Sequence, residues 1–216
     1  MRKLVFCILI LTVACTPVTP STTPTPQPEP TFTNVPNNTP APTVEQKEIE
    51  TQPHLLVHPP ETRSGIDAVD RVIEAVLSGE QSKVNQMVSF TLTGCTHAEG
   101  LGGPPKCLDV EDEGTLVQVL PFLGSEGSFL RIEEMSLWTL NEIDGLYAVY
   151  VVSPDAYDDP NYPAGDYGVV FRGMEGMFYV TFRVTDAGIV RVGYDFTPSP
   201  GESILHDAAE VIITPP

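Results

Sequence analysis

The stretch "FYVTFRVTDAGIVRVGYDF", residues 178 to 196, decides the fold class. Phe178, Val180, Phe182 and Val184 alternate with Tyr179, Thr181 and Arg183, a period of two that belongs to a β-strand. Thr185 to Gly188 then reverse the chain, and Val190, Val192, Tyr194 and Phe196 alternate again. A short turn between two such runs is an antiparallel hairpin. Apolar residues on one face and mixed polar residues on the other predict a sheet with one buried and one solvated side.

Just upstream, "LYAVYVV" (146–152) and "YGVVFR" (167–172) are continuous apolar runs rich in aromatic and β-branched residues, and they extend the hairpin to a four-stranded antiparallel meander. The amino-terminal side has a different period. In "RSGIDAVDRVIEAVLSG" (63–79), Ile66, Val69, Val72, Ile73, Val76 and Leu77 recur at spacings of three and four, which predicts an amphipathic helix. Ser64 with Asp67 three residues on has the form of a capping box, and Gly79 supplies the stop. A second, shorter helix is expected in "EQSKVNQMVSF" (80–90). "TLVQVLPFL" (115–123) reads as a strand or a buried segment, and "FLRIEEMSLWTLNEI" (129–143) as a further helix. The expected fold is therefore α+β: two helices, a loop holding two cysteines, a further helix and the meander. This order resembles the cystatin-like cone of the nuclear-transport-factor-2-like proteins. The resemblance implies helices packed inside a curved sheet around a cone-shaped pocket. That group contains both enzymes and binding modules, so the resemblance implies no single function.

The chain opens "MRKLVFCILILTVACTPVTPS". Arg2 and Lys3 precede an apolar run from Leu4 to Val13, shorter than the roughly 20 residues a spanning helix needs. This is the pattern of a secretory signal. The end of the run, "LTVAC", resembles the lipobox of bacterial lipoproteins, with Thr12 where Leu is more usual. The resemblance implies removal of residues 1–14, a diacylglycerol on Cys15 and an extracytoplasmic protein held to a bacterial membrane by lipid alone. Two or three acyl chains on one residue suffice for stable anchoring, where one would not.

Residues 15–61 are rich in Thr and Pro and poor in large apolar side chains. Such a segment cannot bury enough surface to offset its ordering entropy. It predicts an extended stalk with a reach of up to about 140 Å. The globular domain is expected at 62–197, followed by an acidic, Pro-containing tail at 198–216. The chain carries 11 Lys and Arg against 29 Asp and Glu, a formal charge of −18. An acidic surface is repelled by phosphate, which argues against a nucleic-acid partner. The expected partners are an envelope protein or a small ligand.

Of the four cysteines, Cys7 lies in the signal and Cys15 takes the lipid. Cys95 and Cys107 remain, in "GCTHAEGLGGPPKC" (94–107). Two cysteines left over in an exported domain predict one disulfide. A zinc site on Cys95, His97 and Cys107 lacks the second close pair of ligands that structural zinc usually takes. His97 and Glu99 are the candidates for ligand contact or acid–base work. The loop "SPDAYDDPNYPAGDYG" (153–168) offers Asp155, Asp158, Asp159 and Asp166 as calcium candidates, without the spacing of an EF-hand. No nucleophile elbow or cofactor motif is present, so neither a catalytic set nor a cofactor is expected. The function expected is that of a binding module displayed on a stalk. The alternatives are a small-ligand carrier or enzyme using the cone's pocket, and a calcium-stabilised adhesive module.

Overall fold

A computed structural model describes residues 56–100, 102–123, 127–140, 142–196 and 205–216. All of them belong to one unit, Glu50–Pro216. The signal (1–14), Cys15 and the stalk up to residue 55 lie outside the described residues. Among the described residues, no helix is long and apolar enough to cross a membrane.

The domain is α+β and dominated by one sheet. Helix α1 (Asp67–Leu77) and the short α2 (Gln81–Gln86) precede β1 (Thr91–Gly94), β2 (Leu116–Leu123) and β3 (Ser128–Arg131). After a 3-10 turn (Ile132–Leu137) come β4 (Ile143–Val152), β5 (Tyr167–Gly173), β6 (Phe178–Thr185), β7 (Gly188–Asp195) and β8 (Ala208–Ile213). The eight strands run in the order β1-β2-β7-β6-β5-β4-β8, with β3 paired to β2 off this path. Neighbours are antiparallel except β2 and β7, which meet in parallel at Phe122–Val192 and Leu123–Gly193.

Helix α1 forms where the apolar stripe placed it. Val69, Val72 and Ile73 are fully buried, and the helix lies against β4 to β7. Its entry differs from the expected Ser64–Asp67 box. The helix starts at Asp67 with Ile66 as its cap residue, so the carboxylate that faces back is one turn further on. Asp70 accepts from the Ser64 amide (2.7 Å), the Ser64 hydroxyl (2.8 Å) and the Gly65 amide (3.0 Å). Helix α2 stops at Gln86, short of the expected span, because the chain after it bridges to β7. Ile189 donates to the Met87 carbonyl and Ser89 donates to the Ile189 carbonyl, both at 2.8 Å. Gly188 allows this approach. It sits at φ +130°, and a Cβ there would lie 2.1 Å from the Met87 oxygen.

Three expectations are corrected. The helix expected over 129–143 is strand and 3-10 turn: Leu130 pairs with Leu120 across β2, and Ile143 opens β4. Its apolar spacing looked helical, yet Ile132 and Leu137 are exposed, so a helical stripe there would have no core to face. The meander is not a separate four-stranded sheet. Its strands β4 to β7 are the middle of the eight-stranded one. The tail expected at 198–216 is partly sheet, since Ala208–Ile213 pair antiparallel with β4 and so form an edge strand. At the other boundary, His58 joins the domain rather than the stalk. Its amide donates to the Leu146 carbonyl (2.8 Å), and its ring Nε2 donates to the Thr214 carbonyl (2.7 Å).

The sheet is buried on both faces, not one. On the helix side, Leu146, Val149, Val169, Phe171, Phe178, Val180 and Phe182 pack against α1. On the other side Tyr147, Ala148, Tyr150, Val170 and Tyr179 form a second buried cluster, with Leu205, Ala208 and Val211 packed against it. A bulge at Val190, between the pairs Arg183–Arg191 and Val184–Ile189, turns Ile189 into the helix-side core. Arg183 and Arg191 then lie directly opposite each other on the second face, and both are buried.

Candidate functional site

The cysteine loop is a closed, self-bonded unit. Cys95 and Cys107 form a disulfide with their Cα atoms 4.9 Å apart. Inside it, Thr96 donates to the Pro105 carbonyl (2.8 Å) and Cys107 donates to the Thr96 carbonyl (3.0 Å). Gly102 and Gly103 turn the chain at φ +71° and +72°. The chain-entropy model gives such a closure about 3 kcal/mol.

The loop brings His97 to different partners from the one the sequence suggested. Its ring Nε2 is 2.8 Å from the Glu111 carbonyl oxygen, which can only accept, so Nε2 carries the proton. Its backbone amide donates to Glu113 Oε2 at 2.6 Å. Glu99 is exposed, and no hydrogen bond joins it to His97 among the described residues. The amide of His97 and the hydroxyl of Thr96 hold the Glu113 carboxyl below the ordinary carboxylate range.

Beneath the loop, Arg131 is buried and grips Glu111 by a fork, Nη1 to Oε2 at 2.9 Å and Nη2 to Oε1 at 2.5 Å. Arg131 Nη1 also donates to the Lys106 carbonyl, and the Leu108 amide donates to Glu111. Arg131 first, then the Leu108 amide, lower the Glu111 pKa from 4.5 to about 2. The same pairing raises that of Arg131. Cys95, Cys107 and Glu111 lie within 4.8 Å of one another, as do His97, Cys107 and Glu113. Every sulfur in those groups is in the disulfide and cannot serve as a thiolate ligand, and Glu111 is committed to Arg131. The arrangement is a staple and a clamp, not a metal site.

The calcium candidates do not converge either. Asp158 accepts from the Ala164 amide and Asp159 from the Asn161 amide, both at 2.8 Å, so each closes a local turn. Asp155 and Asp166 join their carboxylates to no metal-binding group among the described residues. The nearby aromatics also disperse. Trp138 is buried edge-on to Phe122, Tyr162 tilts on Phe129 at 4.8 Å, and Tyr157 stays exposed.

A second polar centre lies on the sheet face opposite α1. Tyr150, Gly168, Arg183 and Arg191 form one cross-strand row over β4, β5, β6 and β7. Gly168 has no side chain, so the Tyr150 ring lies across it and reaches Arg183, whose guanidinium carbon is 5.4 Å from the ring centroid. Arg183 Nη2 pairs with the Asp207 carboxylate, while its Nη1 is buried with no hydrogen-bond partner among the described residues. Arg191 Nη1 donates to the Tyr157 carbonyl (3.1 Å) and the Tyr162 carbonyl (3.0 Å), which ties the 153–166 loop to the sheet. Burial, then the charge of Arg183, pull the Arg191 pKa down from 12.5 to about 10. Both arginines line a cavity of about 150 Å³ with Leu123, Tyr150, Thr181 and Asp207. Asp195 also lines it.

Sequence reasoning missed this centre. Arg183 and Arg191 fall on the polar side of the alternation, which reads as solvated when one buried face is assumed. The available signal was their placement at facing positions of one hairpin in an acidic chain.

Comparison with known proteins finds no match to this chain among family models, curated proteins or solved structures.

Proposed function

We propose that the chain is a bacterial envelope lipoprotein, anchored through lipidated Cys15, whose disulfide-closed α+β domain binds a ligand or partner without transforming it. The Thr/Pro-rich segment that follows Cys15 serves as the stalk. The membrane link is the lipid alone, and no nucleic acid is bound. The observation that carries the binding reading is the state of His97. Its ring Nε2 donates to the Glu111 carbonyl, and among the described residues no hydrogen bond joins it to Glu99, which favours a binding role over acid–base work. The Cys95–Cys107 disulfide supports an oxidising, extracytoplasmic location.

The small-ligand version of this reading gains support from the cavity beside Arg183 and Arg191. The calcium-stabilised version loses support, because Asp158 and Asp159 spend an oxygen each on local turns.

The test of the anchor is incorporation of an alkyne-bearing fatty acid into the full chain in a bacterial host. Label on the wild type and none on Cys15→Ser, with the variant leaving the membrane fraction, is the expected result. Equal label on both, or a wild type found only in the soluble fraction, sinks the anchor.

A further inference from the structure

The arginine row holds charge that the protein itself only partly answers. Asp207 is bonded to Arg183, and Asp195 lines the same cavity. Among the described residues, the hydrogen bonds of Arg191 go to two neutral carbonyls. Among the described residues, Arg183 Nη1 is buried and has no hydrogen-bond partner. Two guanidiniums facing each other across one hairpin at 6% and 3% exposure are costly unless anions accompany them. The cavity they line is about 150 Å³, close to the volume that takes up one benzene molecule. Its walls mix this charge with Leu123 and Tyr150.

We propose that this cavity binds a small organic carboxylate, its oxygens set on the guanidinium of Arg191 with Arg183 alongside, and its apolar body against Leu123 and Tyr150. A planar carboxylate matches a guanidinium fork in a way a point cation would not. The pocket walls favour an organic acid over a bare inorganic anion. Thr181 lines the same cavity and offers a hydroxyl to the second oxygen. This deepens the small-ligand form of the binding reading and is independent of the lipid anchor.

The test is calorimetric titration of the purified full chain with acetate, propionate and benzoate, each beside its neutral amide, and with inorganic phosphate. At least one carboxylate should bind saturably with Kd of about 0.1–1 mM, the range a ligand of this size reaches, while its amide binds at least tenfold more weakly. Arg191→Gln should weaken that carboxylate at least tenfold. Gly193→Val is the second variant. Gly193 lines the cavity, and a Cβ there meets only ordinary contacts at 3.6 Å and beyond, so the backbone of β7 accepts a side chain that takes up cavity space. It should abolish binding with the fold intact. The proposal is overturned if no carboxylate saturates up to about 10 mM, if amide and acid bind alike, if phosphate binds and the carboxylates do not, or if Gly193→Val binds as the wild type does.

Discussion

Arg131 holds Glu111 through two hydrogen bonds, and this fork joins the start of the 3-10 turn after β3 to the segment that follows the disulfide. Arg131 is buried and Glu111 is partly covered, so the pair is a clamp and not a surface contact. Removing one partner of such a pair leaves the other charge uncompensated. Arg131→Met should lower the melting temperature by at least about 4 °C, read by thermal denaturation at neutral pH.

The same pair sets a pH dependence. The Glu111 pKa is lowered from 4.5 to about 2 in the folded protein. Its contribution is therefore complete above the unfolded value and is lost as pH falls toward the folded one. Urea midpoints of the wild type should decline between pH 4.5 and about 2, with Glu113, also lowered, acting in the same direction. Glu111→Gln should have a lower midpoint at neutral pH and a flatter profile in that window. A variant profile parallel to the wild type's would assign the acid sensitivity to other groups.

The disulfide closes a loop with a sequence separation of 12. Replacing Cys95 and Cys107 together by Ala should cost about 3 kcal/mol, measured by equilibrium urea unfolding under non-reducing conditions. Treating the wild type with a thiol reductant should reproduce that loss and leave the double variant unchanged.

Periodicity made the strands β4 to β7 and helix α1 legible, because each has a strong apolar pattern and a clear turn signal. It failed at 129–143, where Phe129 and Leu130 are placed by pairing with β2, a long-range contact that no local window contains, and Met135 lies in the 3-10 turn that follows. It failed at Ala208–Ile213 for a related reason: the run AAEVII is short and has no period-two alternation, and only its pairing to β4 defines it. The disulfide followed from counting cysteines and from the compartment. The arginine row did not follow, because period-two alternation tells which residues share a face and not whether that face is covered.

Gly168 is where a single methyl group should matter. A Cβ there would lie 2.2 Å from the Tyr150 ring, which crosses the glycine to meet Arg183. Gly168→Ala must displace the ring or bend the sheet, and overpacking of this kind costs about 1–3 kcal/mol. Gly193→Ala, on β7 beyond the intervening β6, meets only contacts of 3.6 Å and beyond and should change stability by less than about 0.5 kcal/mol. Urea unfolding of both variants checks the contrast, and equal losses would mean that the ring does not lie where the geometry places it.

Asp207 does two things at once. Its carboxylate pairs with Arg183, and its carbonyl accepts from the Ser153 amide at 2.7 Å, so it fastens the chain's end to the sheet just before β8. Asp207→Asn keeps the shape and the carbonyl but removes the charge. Arg183 would then face Arg191 across the hairpin with its carboxylate partner gone, and breaking a buried pair of this kind costs about 3–5 kcal/mol. The loss should also be local. Amides of Ala208–Ile213 should exchange with deuterium faster in Asp207→Asn, while those of Phe178–Thr185 should slow or speed only with global stability. Unchanged protection in β8 would mean that its pairing with β4 holds the chain's end without help from the Arg183–Asp207 bridge.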